Sequence, residues 1–219
     1  MTKLRVGVIG AGSIANMHLK SYVANADVEL VGIYDQNRER AREQAERYGA
    51  PHAFASLKEL LEHPDIDAVS ICTWNNSHAE LAVAALDAGK HVLIEKPLSK
   101  TVAEAEAIAE AAARSGAKVQ VGFVRRFSSN AKVLKSFIDA GELGEIYFAK
   151  ATNVRRIGNP GGWFADSERS GGGPLIDIGV HVLDLCWYMM GSPKAVTVSG
   201  VTYNKLGNRA NVTNLARYK

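Results

Sequence analysis

The sequence predicts a doubly wound α/β fold with a parallel sheet, followed by an incomplete α+β domain with an open sheet. Three observations carry that expectation. Apolar runs alternate with helical stretches up to about residue 124, the first run ends in Gly10-Ala11-Gly12-Ser13-Ile14-Ala15, and beyond residue 124 the alternation stops. A strand without a polar face is buried on both sides, and a parallel sheet covered by helices through right-handed crossovers provides that burial.

The first run, Leu4–Ile9, leads into the glycine turn and a helix over 13–25 whose Met17 and Tyr22 are expected to face the sheet. Gly10 permits the tight turn, Gly12 lets backbone approach a pyrophosphate, and small Ala15 lets helix and strand pack closely. The pyrophosphate then sits at the helix start, among the N–H groups of residues such as Ser13 and Ile14 and at the positive end of the helix dipole. The second run, Val28–Tyr34, ends at Asp35, 25 residues after Gly10. At that strand end a carboxylate accepts hydrogen bonds from the adenosine ribose. It also suits an N-cap for the charged helix Arg38–Tyr48, the alternative to the preferred ribose reading. The same carboxylate repels a 2′-phosphate, which favours NAD over NADP; Arg38 either offsets that repulsion or belongs to the solvated helix face.

Ser56-Leu57-Lys58-Glu59 is a capping box that opens a short helix, and 66–73 is a further apolar strand. A helix over 77–88 ends at Gly89, a strand covers 91–94, a Thr101 capping box opens an alanine-rich helix to Ser115, and 118–123 supplies one more strand. The second region, 125–219, has a helix over 129–140 stopped by Gly141, a strand over 145–153, a glycine-rich loop with Trp163 and Phe164, a helix over 175–190 and a strand over 195–203. So few strands leave the edges of 145–153 uncovered, and the tail 204–219 is polar. The expected division is therefore 1–124 for the nucleotide-binding domain and 125–219 for part of a second.

Composition narrows the function classes. With 47% hydrophobic and 22% charged residues and no long apolar run, the chain reads as neither disordered nor membrane-spanning. A net charge of +3 without a concentrated basic face argues against nucleic acid as a partner. Arg125-Arg126 and Arg155-Arg156 are the local exceptions, read either as contacts to an anionic substrate group or as solvated loop arginines. Cys72 and Cys186 lie in apolar patterns and read as small buried residues, not a disulfide framework. A first strand beginning at Leu4 leaves no room for a secretion signal, so a cytoplasmic protein is expected, with the sequons at Asn75 and Asn211 chance matches.

Three further groups of residues are candidates for chemistry. Glu95-Lys96-Pro97 follows a strand at the carboxyl edge of the sheet, where doubly wound proteins bind ligands, and a lysine there holds a substrate oxygen or pairs with Glu95 in a loop. Asp177 and His181 are four apart on one helical face, an imidazole beside a carboxylate suited to taking a proton from an alcohol. A metal site that adds Asp184 and a merely satisfied helix histidine are the competing readings, with metal ranked last. Thr73-Trp74-Asn75-Asn76-Ser77-His78 also lies at the ligand edge, where Trp74 and Asn75 are placed to flank a nicotinamide or its ribose. His78 reads either with them or as packing at a helix start.

Together, GAGSIA near the N-terminus, AGKHVLIEKP in the middle and SGGGPLIDIGVHVLDL later resemble the Gfo/Idh/MocA family of sugar and inositol dehydrogenases. The resemblance covers essentially the whole chain. It implies an N-terminal Rossmann domain, with Gly10, Gly12, Ser13, Ile14, Ala15, Asp35, Thr73, Trp74, Asn75, His78 and Glu95 on the cofactor side, and a second domain built on a large open sheet. It matches Lys96 to the lysine of the family's EKP motif, and Asp177 and His181 to its DxxxH motif, with the histidine as acid/base. The implied reaction is hydride transfer between a polyol, inositol or sugar-like secondary alcohol and NAD. A non-catalytic NAD-binding or regulatory protein, or an inactive fragment, is the alternative. A homo-oligomer without nucleic-acid or membrane partners is expected. Trp74 stands where the family has a proline, and members are considerably longer than this chain.

Overall fold

Strand β1 (Leu4–Ile9) is buried along its second half, and β2 (Val28–Tyr34) carries Val31, Gly32 and Ile33 inside, which only a two-sided cover allows. The structure, a computed structural model, describes residues 2–154 and 162–203. Between and after these strands run α1 (Ala15–Ala24), α2 (Arg38–Tyr48), β3 (His52–Ala53), α3 (Leu57–Glu62), β4 (Ala68–Ile71), α4 (His78–Asp87), β5 (His91–Ile94), α5 (Val102–Ser115) and β6 (Val119–Val121). The six strands form one sheet in the order β3-β2-β1-β4-β5-β6, every pairing parallel. The order reverses beside β1, so the carboxyl ends of β1 and β4 flank the switch point at which such sheets bind ligands.

The helices start where local chemistry starts them. Asn37 accepts the Arg40 N–H at the head of α2, Ser56 accepts the Glu59 N–H at α3, and Thr101 and Glu104 complete a reciprocal box at α5. Helix α1 presents Ala15 and Leu19 to the sheet, whereas Met17 is 61% exposed, contrary to expectation. The two-residue β3 was not anticipated. Its residues are exposed and carry no apolar signal, and it exists because it pairs with Gly32 and Ile33. At the other end of the sheet face, Arg5 clasps Asp67 through Nε at 3.1 Å and Nη2 at 2.8 Å, tying the start of β1 to the approach to β4. That contact holds the Asp67 carboxyl below its ordinary value.

The chain divides into two compact units, Met1–Gly122 with Glu168–Gly171, and Phe123–Ser167 with Gly172–Lys219. The second contains a 3₁₀ turn Val124–Phe127, α6 (Ser129–Asp139), the start of the short α7 (Ser167–Ser170), a π-helical turn Leu175–Gly179 and α8 (Val180–Met189). Here two expectations fail. Residues 145–153 and 195–203 form no strand, and Tyr147, Val196 and Val198 are 89%, 94% and 87% exposed. Both segments have β-favouring composition, but a ladder is a pairwise structure, and an extended segment with no neighbour gains no bonds by it. The open sheet is thus absent among the described residues. The expected helix over 175–190 exists in two parts, because the Val180 N–H reaches back to Leu175 O and opens the first turn. Within this unit Arg126 is not a solvated loop arginine: its Nε donates to Asp184 Oδ2 at 2.8 Å, and its guanidinium lies over the Tyr188 ring at 4.9 Å. The carboxylate raises the Arg126 pKa further, and Asp184, 8% exposed, is committed to this pair. Arg155, Arg156, Asn211 and the tail 204–219 lie outside the described residues.

Candidate cofactor and active site

The turn after β1 has the backbone its glycines require. Gly10 adopts φ +94°, and a Cβ there would stand 2.7 Å from Cys72 O. Its N–H donates to Tyr34 O at 2.7 Å, so the turn is bolted to the end of β2. Gly12 differs: a Cβ there would meet nothing within 4 Å, which leaves the space above it open. Helix α1 begins beside that space without a side-chain cap, since Ile14 at its N-cap has no acceptor, and Ser13 and Ile14 are exposed. An open approach over glycine and an uncapped helix start together fit a pyrophosphate, whose charge is stabilised by the first-turn N–H groups.

Asp35 is 7% exposed at the end of β2 and lies under the same turn. Its Oδ2 accepts the Ala11 N–H at 2.7 Å, and its Oδ1 accepts the Asn37 N–H and Arg40 Nη2, each at 2.8 Å. The N-cap of α2 is Asn37, not Asp35. The arginine that reaches Asp35 is Arg40, not Arg38. Side chains of a helix tilt toward its N-terminus, so the residue at the third position points back over the strand end. Asn37 as N-cap and Asp35 before it were the signals that could have located Arg40.

Beyond β4, the structure sets several side chains differently from expectation. Thr73 is half-buried, and its Oγ1 accepts the Ser77 hydroxyl at 2.7 Å. Trp74 is 43% exposed, and the Arg169 guanidinium lies 4.4 Å from its ring centre. Asn75 is buried and donates to Ser170 O at 2.7 Å, so its amide fastens Glu168–Gly171 to the rest of the first unit. His78 is fully buried; its Nδ1 donates to Pro97 O at 2.7 Å and Nε2 lies 3.3 Å from Thr73 O. It packs at the helix start and supports the Lys96–Pro97 turn from within.

Glu95, expected on the cofactor side, is 8% exposed and bonds His18 Nε2 at 2.8 Å through Oε1, while its Oε2 accepts the Lys96 N–H at 3.3 Å. His18 Nδ1 lies 3.3 Å from Ser70 Oγ, which also bonds the Tyr22 hydroxyl. Gly122 makes room for this network, since a Cβ there would stand 3.2 Å from Glu95 Oε1. Sequence reasoning missed His18 because its partner is 77 residues away. Lys96 is half-buried just past β5. In the second unit Asp177 sits in the π turn and His181 in the first turn of α8. A Cβ at Gly179 would stand 2.9 Å from Leu175 Cδ1, so the glycine leaves room for the Leu175 side chain. π turns are frequent at functional sites.

The His78 pKa is lowered by burial, offset in part by its two carbonyl neighbours. The folded value lies below the unfolded one, so as pH falls the unfolded chain takes up the proton first. The stability this site contributes is complete above the ordinary histidine pKa of about 6.5 and is lost as pH falls from there to the folded value. Urea unfolding of wild type and His78→Gln at pH 7.5 and 5.5 measures it. The wild type is expected to lose more stability on acidification than the variant; equal losses would refute the assignment.

The family model described as "Oxidoreductase family, NAD-binding Rossmann fold" matches residues 4–123, and the Gfo/Idh/MocA C-terminal domain matches 131–219. The chain belongs to the Gfo/Idh/MocA oxidoreductase family. It is 38% identical over 208 residues to D-glucoside 3-dehydrogenase of Escherichia coli, covering 94% of this chain and 59% of that protein. It is 35% identical to myo-inositol 2-dehydrogenase of Thermotoga maritima, covering 86% and 55%. Among solved structures, levoglucosan dehydrogenase in complex with NADH and levoglucosan superposes with a TM-score of 0.77 at 30% identity, covering 87% of this chain and 54% of that one. This Gfo/Idh/MocA chain thus spans little more than half the length of these relatives. Among its described residues no helix is long and apolar enough to cross a membrane.

Proposed function

We propose that this Gfo/Idh/MocA protein is an NAD-dependent dehydrogenase acting on a secondary alcohol of a sugar, inositol or related polyol. The observation that carries the reading is the open approach over Gly12 at an uncapped helix start, with Asp35 buried beneath the same turn, in a chain that also retains Lys96, Asp177 and His181. Relatives named as glucoside and inositol dehydrogenases support the substrate class. When bound, the nicotinamide supplies the hydride acceptor for the carbinol carbon.

The chain's own residues supply position and proton transfer. Backbone N–H groups at the start of α1 hold the pyrophosphate, and Asp35 marks the ribose. His181 takes the hydroxyl proton, Asp177 orients the imidazole, and the Lys96 ammonium steadies the substrate oxygen as negative charge grows on it. Glu95 and His78 position Lys96 from below the turn. We further assign the protein to the cytoplasm, supported by its two free thiols, and to a homo-oligomer, supported by the exposed Val133, Leu134 and Phe137 on α6.

NADH formation at 340 nm with a panel of glucosides, inositols and anhydrosugars tests the activity. Turnover on at least one of them is expected, and His181→Ala and Lys96→Ala are each expected to lower kcat by about a hundredfold. Full activity in either variant would remove that residue from the mechanism. Tight NAD binding without turnover on any substrate would favour a binding or regulatory role.

A further inference from the structure

We propose that Trp74 is a stacking surface for the substrate's ring, so that this site prefers cyclic alcohols, a pyranoside or a cyclitol, to open-chain polyols. This rests on the dehydrogenase reading given above and concerns the substrate side of the site. Among the described residues of the first unit, Trp74 is the one Phe, Tyr or Trp side chain that is exposed, at 43%. A large aromatic surface left to water gains free energy when a ligand covers it. Its place ties that surface to the chemistry. Strands β4 and β5 are parallel neighbours with Ile71 opposite Ile94, and Trp74 follows Ile71 by three residues as Lys96 follows Ile94 by two. Adjacent strands stand about 4.8 Å apart, so Trp74 and Lys96 leave the sheet side by side at its carboxyl edge. An alcohol whose oxygen is held at Lys96 therefore has its carbon skeleton within reach of the indole.

The indole is also held in place beforehand. Trp74 O accepts the Ser77 N–H at 3.0 Å, and the next residue, Asn75, donates to Ser170 O at 2.7 Å. The Arg169 guanidinium lies over the ring, 4.4 Å from its centre, and backs it from one face. Arg169 precedes Ser170, so the bond that anchors Asn75 anchors the supporting cation as well. A wall that is already fixed loses little freedom when a ligand covers it. The flat face then selects shape. It carries negative charge density and attracts weakly positive C–H groups. A pyranose or cyclitol ring with mostly equatorial hydroxyls presents several axial C–H bonds on one face and directs its hydroxyls outward, toward polar partners such as Lys96. An open-chain polyol must freeze several torsions to present the same face, and that ordering opposes binding.

Steady-state kinetics at saturating NAD, with methyl β-D-glucopyranoside and myo-inositol as rings and D-glucitol as the open chain, test this. In the wild type, kcat/KM for the better ring is expected to exceed that for D-glucitol by about tenfold or more. Trp74→Ala is expected to raise the KM of that ring by about tenfold, to change kcat and the Kd of NAD by less than about twofold, and to abolish the preference. Trp74→Phe keeps a flat face and is expected to recover most of it. Thermal melts report that the variants remain folded, as an exposed position should allow. A Trp74→Ala variant with unchanged KM and preference overturns the inference. So does one that weakens NAD as much as the ring, which would seat the indole against the nicotinamide. If the wild type turns over none of these compounds, the dehydrogenase reading fails for them, and calorimetric titration of the NADH-saturated protein with myo-inositol and D-glucitol decides the role of Trp74 separately. Binding of myo-inositol that Trp74→Ala weakens by about tenfold supports it, and equal or absent binding overturns it.

Discussion

Gly10→Ala is expected to destabilise the first unit by about 3 kcal/mol or more, from a left-handed backbone costing about 1–3 kcal/mol in a non-glycine residue and a forced contact costing about as much again. Both terms are visible at this position. The φ of +94° is one that L-residues rarely adopt, and the new Cβ would stand 2.7 Å from Cys72 O and 2.9 Å from Thr73 Cγ2. The backbone cannot drift away to relieve the contact, because the Gly10 N–H is held by Tyr34 O and the Cys72 N–H by Ile9 O. Gly12→Ala is the contrasting variant. Its Cβ meets nothing within the protein, so the fold should persist while the approach of a pyrophosphate is obstructed. Urea unfolding and NAD titration of the two variants separate the roles. A stable Gly10→Ala that binds NAD, or a Gly12→Ala with unchanged affinity, would show that the two glycines do not divide the work this way.

Breaking the His18–Glu95 hydrogen bond should cost a comparable amount. Each side chain is 10% exposed, and they meet at 2.8 Å between α1 and the end of β5. His18→Ala leaves the Glu95 carboxyl enclosed without its main hydrogen-bond partner, and a buried polar group left unsatisfied typically costs about 1–3 kcal/mol, more if it is charged. Replacing both residues with apolar side chains of similar size, as in His18→Leu with Glu95→Met, should cost far less, since no uncompensated charge remains. The cycle formed by wild type, His18→Leu, Glu95→Met and the double replacement, with His18→Ala measured beside it, reads the difference in urea midpoints. A loss below about 1 kcal/mol in His18→Ala would mean that water or Ser70 satisfies Glu95 equally well. Because Glu95 also accepts the Lys96 N–H, the same variants are expected to disturb the Lys96 turn.

What could be read from the chain was whatever local chemistry decides. Helix α2 begins and ends at Arg38 and Tyr48 because Asn37 caps it and Gly49, at φ +69°, releases it. Helix α5 follows from the Thr101 box in the same way. The glycine turn was legible for a similar reason, since a positive φ and a close approach leave few residue types able to serve. The partners of the site residues were not legible. Asp35 was identified, but the donors it would collect were not, and the arginine nearest in sequence proved to be the wrong one. Asn75, His78 and Glu95 stand in an apparent ligand-edge motif, yet each turns inward to a partner that is remote in sequence.

By itself, then, the sequence determined the alternation of strands and helices, the place of the dinucleotide turn, and the residue types available for chemistry. All of these follow from backbone conformation and apolar periodicity, which act over a few residues. Only the tertiary structure decided that Arg40 rides on Asp35, that His18 answers Glu95 across 77 residues, that a π turn carries Asp177, and that 145–153 and 195–203 form no ladder. Hydrogen bonds, ion pairs and ladders need two partners brought together, and which two meet is set by how the elements pack.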